Sequence, residues 1–404
     1  MQRPSRRHLL QGLAALPLAA ASLPGSVMAG QLIAAPAAGS KLLFVFLRGA
    51  YDAASLLVPV ASDFYQASRP EIAIRRPDAA PDSALALDAE WGLHPALRET
   101  VYPLYQKGEA SFIAFAGTDD LSRSHFESQD SIELGQPLDS RRDFRSGFLN
   151  RLAAVVNGAQ PMAFTDRLPL VLQGTVQVPN AALASLAKPA VDPRQSAIIA
   201  AMYRGTPLAG NVASGFALRD EVNRELGAEM QAASRGAISS KGFELEAHRV
   251  ALLMKERFDI GFVDVGGWDT HVNQGGAEGY LANRLDELGR GIAAFAQAMG
   301  PAWRDTTVVV ASEFGRTFRQ NGNRGTDHGH GTVYWVLGGS LRGGRVAGEQ
   351  VPVDAANLFQ NRDYPVLNEY RGVLAGLFAR QFGLNGAQLQ RVFAGVAPRD
   401  LQLL

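Results

Sequence analysis

The stretch KLLFVFLRG (residues 41–49) decides the fold class. An apolar run with no polar alternation, closed by a glycine, is the mark of a strand covered on both faces, and such strands belong to parallel sheets flanked by helices. The run ends in Gly49-Ala50-Tyr51-Asp52, a turn that puts Asp52 just beyond the strand's carboxyl end. Working outward, ASFIAFAG (110–117), FDIGFVDVGG (258–267), DTTVVVASEF (305–314) and TVYWVLGG (332–339) read as further strands, with LPLVLQG (168–174) as a short apolar run. Helical periods lie between and after them: from His94-Pro95 through Leu97, Val101, Leu104 and Tyr105 to Gly108, then over 126–134, 243–257, 281–299 and 366–383. This alternation predicts an α/β fold with a doubly wound, mostly parallel sheet. Residues 66–90 are polar and broken by proline and read as an excursion from the core. Residues 175–240, rich in Ala, Ser and Gly, read as a mainly helical insertion.

Composition narrows the function classes. With 47% hydrophobic residues, 42 glycines and 21 prolines in 404 residues, the chain is neither fibrous nor wholly disordered. At the N-terminus, SRRHLL (5–10) leads into LLQGLAALPLAAASLPG (9–25), an uncharged stretch too short for a comfortable membrane span. Val27-Met28-Ala29 supplies the small residues of a cut after Ala29. SRRHLL resembles the twin-arginine export motif. That resemblance implies a signal peptide over 1–29, a short linker over 30–40 and one domain over 41–404. It further implies folding in the cytoplasm and delivery by the twin-arginine machinery to the periplasm or beyond, with no permanent membrane span. Basic and acidic residues number 39 each; loss of Arg3, Arg6 and Arg7 with the leader leaves 36 against 39, a net charge of about −3. A nucleic-acid footprint is therefore not expected. The chain has no cysteine, which excludes disulfides, thiol nucleophiles, thiolate zinc sites and iron–sulfur ligation.

Chemistry-bearing residues collect after the strands. The first strand releases Asp52, and the second releases Thr118, Asp119, Asp120, Ser122, Ser124 and His125. The strand at 260–265 releases Asp269-Thr270-His271; the strand at 305–311 releases Glu313 and Arg316, followed by Asp327-His328-Gly329-His330. Ligands of open α/β sheets bind outside the carboxyl ends of strands. Imidazole with carboxylate suits zinc or manganese, whereas oxygen alone would favour calcium or magnesium. In an extended loop, Asp269 and His271 project to one side, and His328 and His330 repeat that spacing directly after Asp327. Each pair also fits a hydrogen-bonded turn. Glu313 directly follows VVVAS, where a buried carboxylate needs a cation or Arg316 beside it. Asp52, Asp269, His271, Glu313, Asp327, His328 and His330 are thus the candidate ligands of one or two divalent ions. Ser124, or Ser122, fits either a helix N-cap or a nucleophile activated by the metal's field, with Arg123 and Arg316 to neutralise developing charge. His94 beside Pro95 fits a cap or core role, and His248 a helix position. G-x-S-x-G, Walker A and H-E-x-x-H sequences do not occur.

Six collinear segments carry a family resemblance: FVFLRGAYD (44–52), HPALRETVYPLYQKGEASFIAFAG (94–117), RSHFESQD (123–130), DVGGWDTH (264–271), ASEFGRTFRQNGNRGTDHGHG (311–331) and VLGGSLRGGRV (336–346). They resemble the bacterial domain of unknown function family 1501 from about residue 40 to 395. That family in turn resembles the alkaline phosphatase and sulfatase superfamily, which implies an α/β fold with metals at strand ends. By that resemblance Asp52 is similar to the first-strand metal ligand, Ser124 or Ser122 to the nucleophile, and Asp269 with His271 to a metal-binding pair. Ser312-Glu313-Phe314-Gly315 is similar to an S-D-H-G strand exit, with Glu313 for Asp and Phe314 for His; Asp327, His328 and His330 fall in the region of the final histidine. Phe314 cannot bind metal, which leaves one metal or none as alternatives to two. Without cysteine, a formylglycine sulfatase is excluded. The expected function is an exported metal-dependent hydrolase of a phosphate or related anionic ester. The alternative is a non-catalytic binding or assembly protein with a small anionic ester or a periplasmic protein as partner.

Cell fractionation checks the export reading: wild type is expected in the periplasm, and an Arg6→Lys, Arg7→Lys variant in the cytoplasm. Equal periplasmic accumulation of the two contradicts it.

Overall fold

In the computed structural model, which describes residues 39–183, 193–217 and 242–404, Lys41–Leu47 forms β1 at the heart of an eight-stranded sheet. The other strands of this sheet are β5 (Ala110–Gly117), β6 (Pro161–Ala163), β7 (Ile260–Val265), β8 (Thr306–Ser312), β9 (Thr332–Leu337), β10 (Val346–Ala347) and β11 (Asn368–Glu369). Their order is β10-β5-β9-β8-β1-β7-β6, with β11 also paired to β5. β1 pairs in parallel with β7 on one side and β8 on the other, and β6 is parallel to β7. β9 alone runs antiparallel to its neighbours β8 and β5. It follows β8 through the loop 313–331 without a crossover helix, so it must return alongside.

Alternation along β1 divides the interior into two cores. Leu43, Val45 and Leu47 face one, which the helices Gly242–Glu256 and Tyr280–Met299 cover with Phe243, Val250, Leu285 and Ile292. Leu42, Phe44 and Phe46 face the other, which the helices Phe148–Val155, Tyr370–Phe382 and Gly386–Val392 cover. Phe44 stacks on Phe262 with centroids 6.2 Å apart and meets the edge of Phe148 at 5.5 Å. Each such burial contributes about 1.5–3 kcal/mol, so the apolar run that opens the domain anchors both faces.

Some segments depart from the sequence reading. The run at 168–174 is a single 3-10 turn, Leu170–Leu172. Its amides are already engaged, since Val171 N donates to Glu133 Oε2 at 3.0 Å and Leu172 N to the Pro169 carbonyl at 3.1 Å. The sheet takes its edge from Pro161–Ala163 instead, where an N-terminal proline costs no ladder bond. The polar excursion contributes Leu85–Ala86 (β3), which joins β2 (Leu57–Pro59) and β4 (Trp91–Leu93) in a small antiparallel sheet. Of the proposed insertion, Pro193–Met202 is a helix; 184–192 and 218–241 lie outside the described residues, as do residues 1–38, where the signal peptide is expected. His94 is the fully buried N-cap of the 3-10 turn Pro95–Leu97, accepting Ala96 N at 3.1 Å.

A buried polar hub ties the strand exits together. Asp52, 1% exposed, receives the Arg69 guanidinium on both oxygens, together with Ser55 Oγ at 2.8 Å and Gln274 Nε2 at 2.6 Å. Arg69 also donates to the carbonyls of Phe318 at 2.6 Å and Thr317 at 3.1 Å. Gln274 accepts Thr270 Oγ1 at 3.1 Å and Thr326 Oγ1 at 3.0 Å. Burial alone would raise the Asp52 carboxyl, but the charge and hydrogen bonds of Arg69 hold it below the usual carboxylate range.

Removing either partner leaves an uncompensated buried charge, so Asp52→Asn and Arg69→Met are each expected to lower unfolding free energy by about 3–5 kcal/mol, and the double substitution by less than their sum. Because the folded pKa of Asp52 is depressed, its contribution is full above the ordinary value of 3.8 and is lost as pH falls through the depressed one. Denaturant titrations at neutral and acid pH check this; additive losses, or losses that do not shrink in acid, contradict it.

Candidate metal centre

The exits of β5, β1, β8 and β7 and the entry of β9 lie side by side at one edge of the sheet, and the candidate site is built there. After β5 the chain turns at Arg123, a non-glycine residue at φ +51°, and enters the helix His125–Leu134. The Arg123 guanidinium is held by Asp363 at 2.8 Å and 3.1 Å and by Gln360 Oε1 at 2.8 Å. Its carbonyl accepts His328 Nδ1 at 2.9 Å. Arg123 therefore acts on the site through its backbone, and its charge is spent on Asp363.

Glu313, fully buried beyond β8, orients His125. Its Oε1 faces His125 Nδ1 at 2.8 Å and accepts Gln129 Nε2 and Gly49 N, each at 2.9 Å, while Oε2 accepts Ser312 Oγ at 2.7 Å. Burial would raise this carboxyl; the hydrogen bonds from His125 and Gln129 outweigh it and bring it below the ordinary value. Gly49 is required on two counts: its φ is +118°, and a Cβ there would stand 2.8 Å from Asp269 N.

Loop 266–274 is fixed by Trp268, fully buried, whose Nε1 donates to the Val265 carbonyl at 2.9 Å. Its next residue is the focus of the site. Asp269 Oδ1 lies 2.7 Å from Arg316 Nη1, 2.9 Å from His271 Nε2, 3.3 Å from His328 Nε2 and 3.5 Å from His125 Nε2. His271 Nε2 and His328 Nε2 are 3.1 Å apart. His271 Nδ1 faces Asp327 Oδ1 at 3.1 Å. Gly329 lets the 327–330 segment lie against the Arg316 carbonyl, where a Cβ would come within 2.4 Å.

All three rings thus present Nδ1 to an oxygen: Glu313, Asp327, or the Arg123 carbonyl, which can only accept. Nδ1 carries the proton, and in the neutral rings the Nε2 lone pairs are turned toward one carboxylate oxygen. That arrangement is repulsive unless a proton or a cation sits between them. His125 Nε2 is buried with no hydrogen-bond partner, its 3.5 Å to Asp269 being too long for one. One ligand atom each from His125, Asp269 and His328 lie within 4.8 Å of one another, a group able to hold a metal ion. A tetrahedral cation bound at about 2.0–2.1 Å separates its ligands by about 3.3 Å, close to the spacings around Asp269. Imidazoles whose far nitrogen is fixed by a carboxylate or carbonyl are the usual supporting layer of such sites.

The local electrostatics favour ligation at His328 and Asp269, while His125 must release a proton to bind a cation. Burial pushes His328 down, which favours its neutral, ligating form. The hydrogen bond to Glu313 pushes His125 up. Burial would raise Asp269, but the Arg316 hydrogen bond and charge, with His271 and His125, leave it lowered and ionised. Phe314, where the family resemblance would expect a histidine, stacks on His125 with centroids 5.0 Å apart and lies 5.3 Å from His328. It braces two rings rather than adding a third ligand.

The structure brings together Asp269, His271, Asp327, His328 and Arg316, with Glu313 one hydrogen bond behind, through His125. Asp52 instead sits in the polar hub with both oxygens occupied. The ring of His330 packs on Phe359 at 4.9 Å, and its carbonyl accepts Gly315 N at 2.8 Å. Ser122 Oγ is 3.1 Å from Ser128 Oγ. Ser124 is the N-cap residue before His125, and its side chain makes no capping hydrogen bond. His125 was legible as a histidine at a strand exit but not as a ligand. The signal available was its i,i+4 spacing to Gln129, which puts both on the helix face that meets Glu313.

No described helix is long and apolar enough to cross a membrane. No curated protein and no solved structure matches the chain. A family model described as a protein of unknown function, DUF1501, matches residues 40–393, and the chain belongs to that family.

Proposed function

We propose that this chain is a metal-dependent hydrolase of a phosphate or related anionic ester, exported by the twin-arginine route and organised like the alkaline phosphatase superfamily. The observation that carries this reading is the convergence of imidazole nitrogens from His125 and His328 on Asp269, each with its far nitrogen tied down. Three protein ligands leave a coordination position open, the pattern of catalytic rather than structural sites. The site is also open to solvent, since the side chains of Asp269 and His271 are 45% and 40% exposed. A divalent cation here, zinc or manganese by its donor set, would supply Lewis-acid chemistry and ease deprotonation of a nucleophile.

The residues around it have distinct tasks. Arg316, fully buried, fixes the Asp269 carboxylate and offsets charge at the centre. His271, hydrogen-bonded to Asp327, is placed to orient a nucleophile or pass a proton. Ser124, uncapped beside His125, is the protein's own candidate nucleophile, with water as the other. Export rests on SRRHLL, and the superfamily likeness on polar residues gathered at the carboxyl ends of parallel strands.

One observation favours a second reading, a binding protein. His271 Nε2 stands 2.9 Å from Asp269 and 3.1 Å from His328 Nε2, so it can close the fourth position and make a site that holds metal without turnover.

Elemental analysis of protein prepared without a metal-affinity tag is expected to give about one divalent ion per chain, lost in a His125→Ala, His328→Ala variant. Retention of the ion by that variant, or no ion after reconstitution, contradicts the site. A panel of phosphomonoesters, phosphodiesters and sulfate esters on the reconstituted protein then tests turnover. Hydrolysis of a phosphate ester is expected, reduced at least about 100-fold in Asp269→Asn; its survival in Ser124→Ala assigns the attack to water. Bound metal without turnover of any class selects the binding protein.

A further inference from the structure

A cleft of about 310 Å³ opens far from the metal centre, lined by Arg145, Ser146, Arg151, Thr175, Arg391 and Asp143 among others. It lies at the carboxyl end of the helix His125–Leu134, whose amino end carries His125. Ten residues of helix separate the two by about 15 Å.

Arg151 forms the floor. Its Nε donates to the Val392 carbonyl at 2.9 Å, and Nη2 donates to the carbonyls of Val392 and Leu134, each at 2.7 Å. Nη1 is bound by the Ser146 carbonyl and by Ser146 Oγ at 3.3 Å. Every partner is neutral, and among the described residues no carboxylate pairs with it. The guanidinium is held firmly, yet its charge is not neutralised. Burial pulls its pKa down to about 10, and the nearby Asp143 offsets this only in part.

At the rim, Arg145 and Arg391 are both exposed, and their guanidinium groups make no hydrogen bond or ion pair among the described residues. The one carboxylate lining the cleft, Asp143, has an oxygen engaged by Arg145 N at 3.0 Å. Three guanidinium groups against one carboxylate leave two unmatched positive charges facing a hollow of small-ligand size. Two unpaired guanidinium groups, with the hydroxyls of Ser146 and Thr175 in the same lining, match a doubly charged oxyanion in charge and hydrogen-bonding capacity.

We propose that this cleft is a binding site for a phosphate dianion, free or carried on a small phosphomonoester. The site is separate from the metal centre and stands whether or not that centre is catalytic.

The test is calorimetric titration of the full chain, stripped of metal by a chelator, with inorganic phosphate and with glycerol phosphate at matched ionic strength. Saturable binding is expected, weakened about tenfold or more in an Arg145→Gln, Arg391→Gln variant and unchanged in Asp269→Asn. Because both arginines are exposed, circular dichroism of the variant should match wild type, and the two single substitutions should each show part of the loss. Tighter binding of glycerol phosphate assigns the site to a phosphomonoester; equal or tighter binding of inorganic phosphate assigns it to the free ion. Absence of saturable binding to wild type, or equal affinity in the double variant, overturns the proposal.

Discussion

The buried ion pair of Asp52 and Arg69 is the constraint on which the candidate site depends. It joins the exit of β1 to the 317–318 backbone and, through Gln274, to Thr270 and Thr326. Those contacts lie within a few residues of Asp269, His271, Arg316, Asp327 and His328. Loops of this length are ordinarily the most mobile parts of an α/β fold. Here two of them are pinned at their bases by hydrogen bonds to one shielded charge pair. A buried pair is seldom a gain in stability over a well-packed apolar replacement, since desolvation offsets much of the attraction. Its value here lies in position: the pair fixes where the loops start and hence where their imidazoles meet.

At the centre itself, the same logic operates at shorter range. Glu313, Asp327 and the Arg123 carbonyl each take an Nδ1 proton, and this turns three lone pairs inward. Phe314 gives up a ligand position to brace two rings. Arg316 keeps Asp269 ionised although burial works against it. Each arrangement is unfavourable alone and reasonable around a cation, which is why a single centre fits better than two: Asp52, the carboxylate a second centre would call on, is already saturated.

Much of this was legible in the sequence, and the gaps have physical causes. The β1 run and VVVAS announced buried strands because both faces of a central strand must be apolar, and Phe44 and Val45 indeed serve opposite cores. Asp269, His271, Asp327 and His328 were readable as a candidate group because short loops at strand ends can present two side chains together. The partner of Asp52 was not readable: Arg69 lies in a polar, proline-broken segment that carries no pattern pointing back to β1. Glu313 was seen to need a cation nearby, but only the fold shows that hydrogen bonds from His125, Gln129, Gly49 and Ser312 satisfy it instead. The run at 168–174 could be read only as apolar, because composition cannot reveal that its amides are claimed by Glu133 and by a 3-10 turn.

The central claim is that His125, Asp269 and His328 hold one divalent cation. Its most direct test is a crystal structure of zinc-loaded protein with anomalous differences measured on both sides of the zinc absorption edge. One strong peak is expected about 2.0–2.2 Å from His125 Nε2, His328 Nε2 and an Asp269 oxygen, with His271 at or beside the remaining position. A peak held instead by Asp52, or none among these side chains at full zinc occupancy elsewhere, would contradict it.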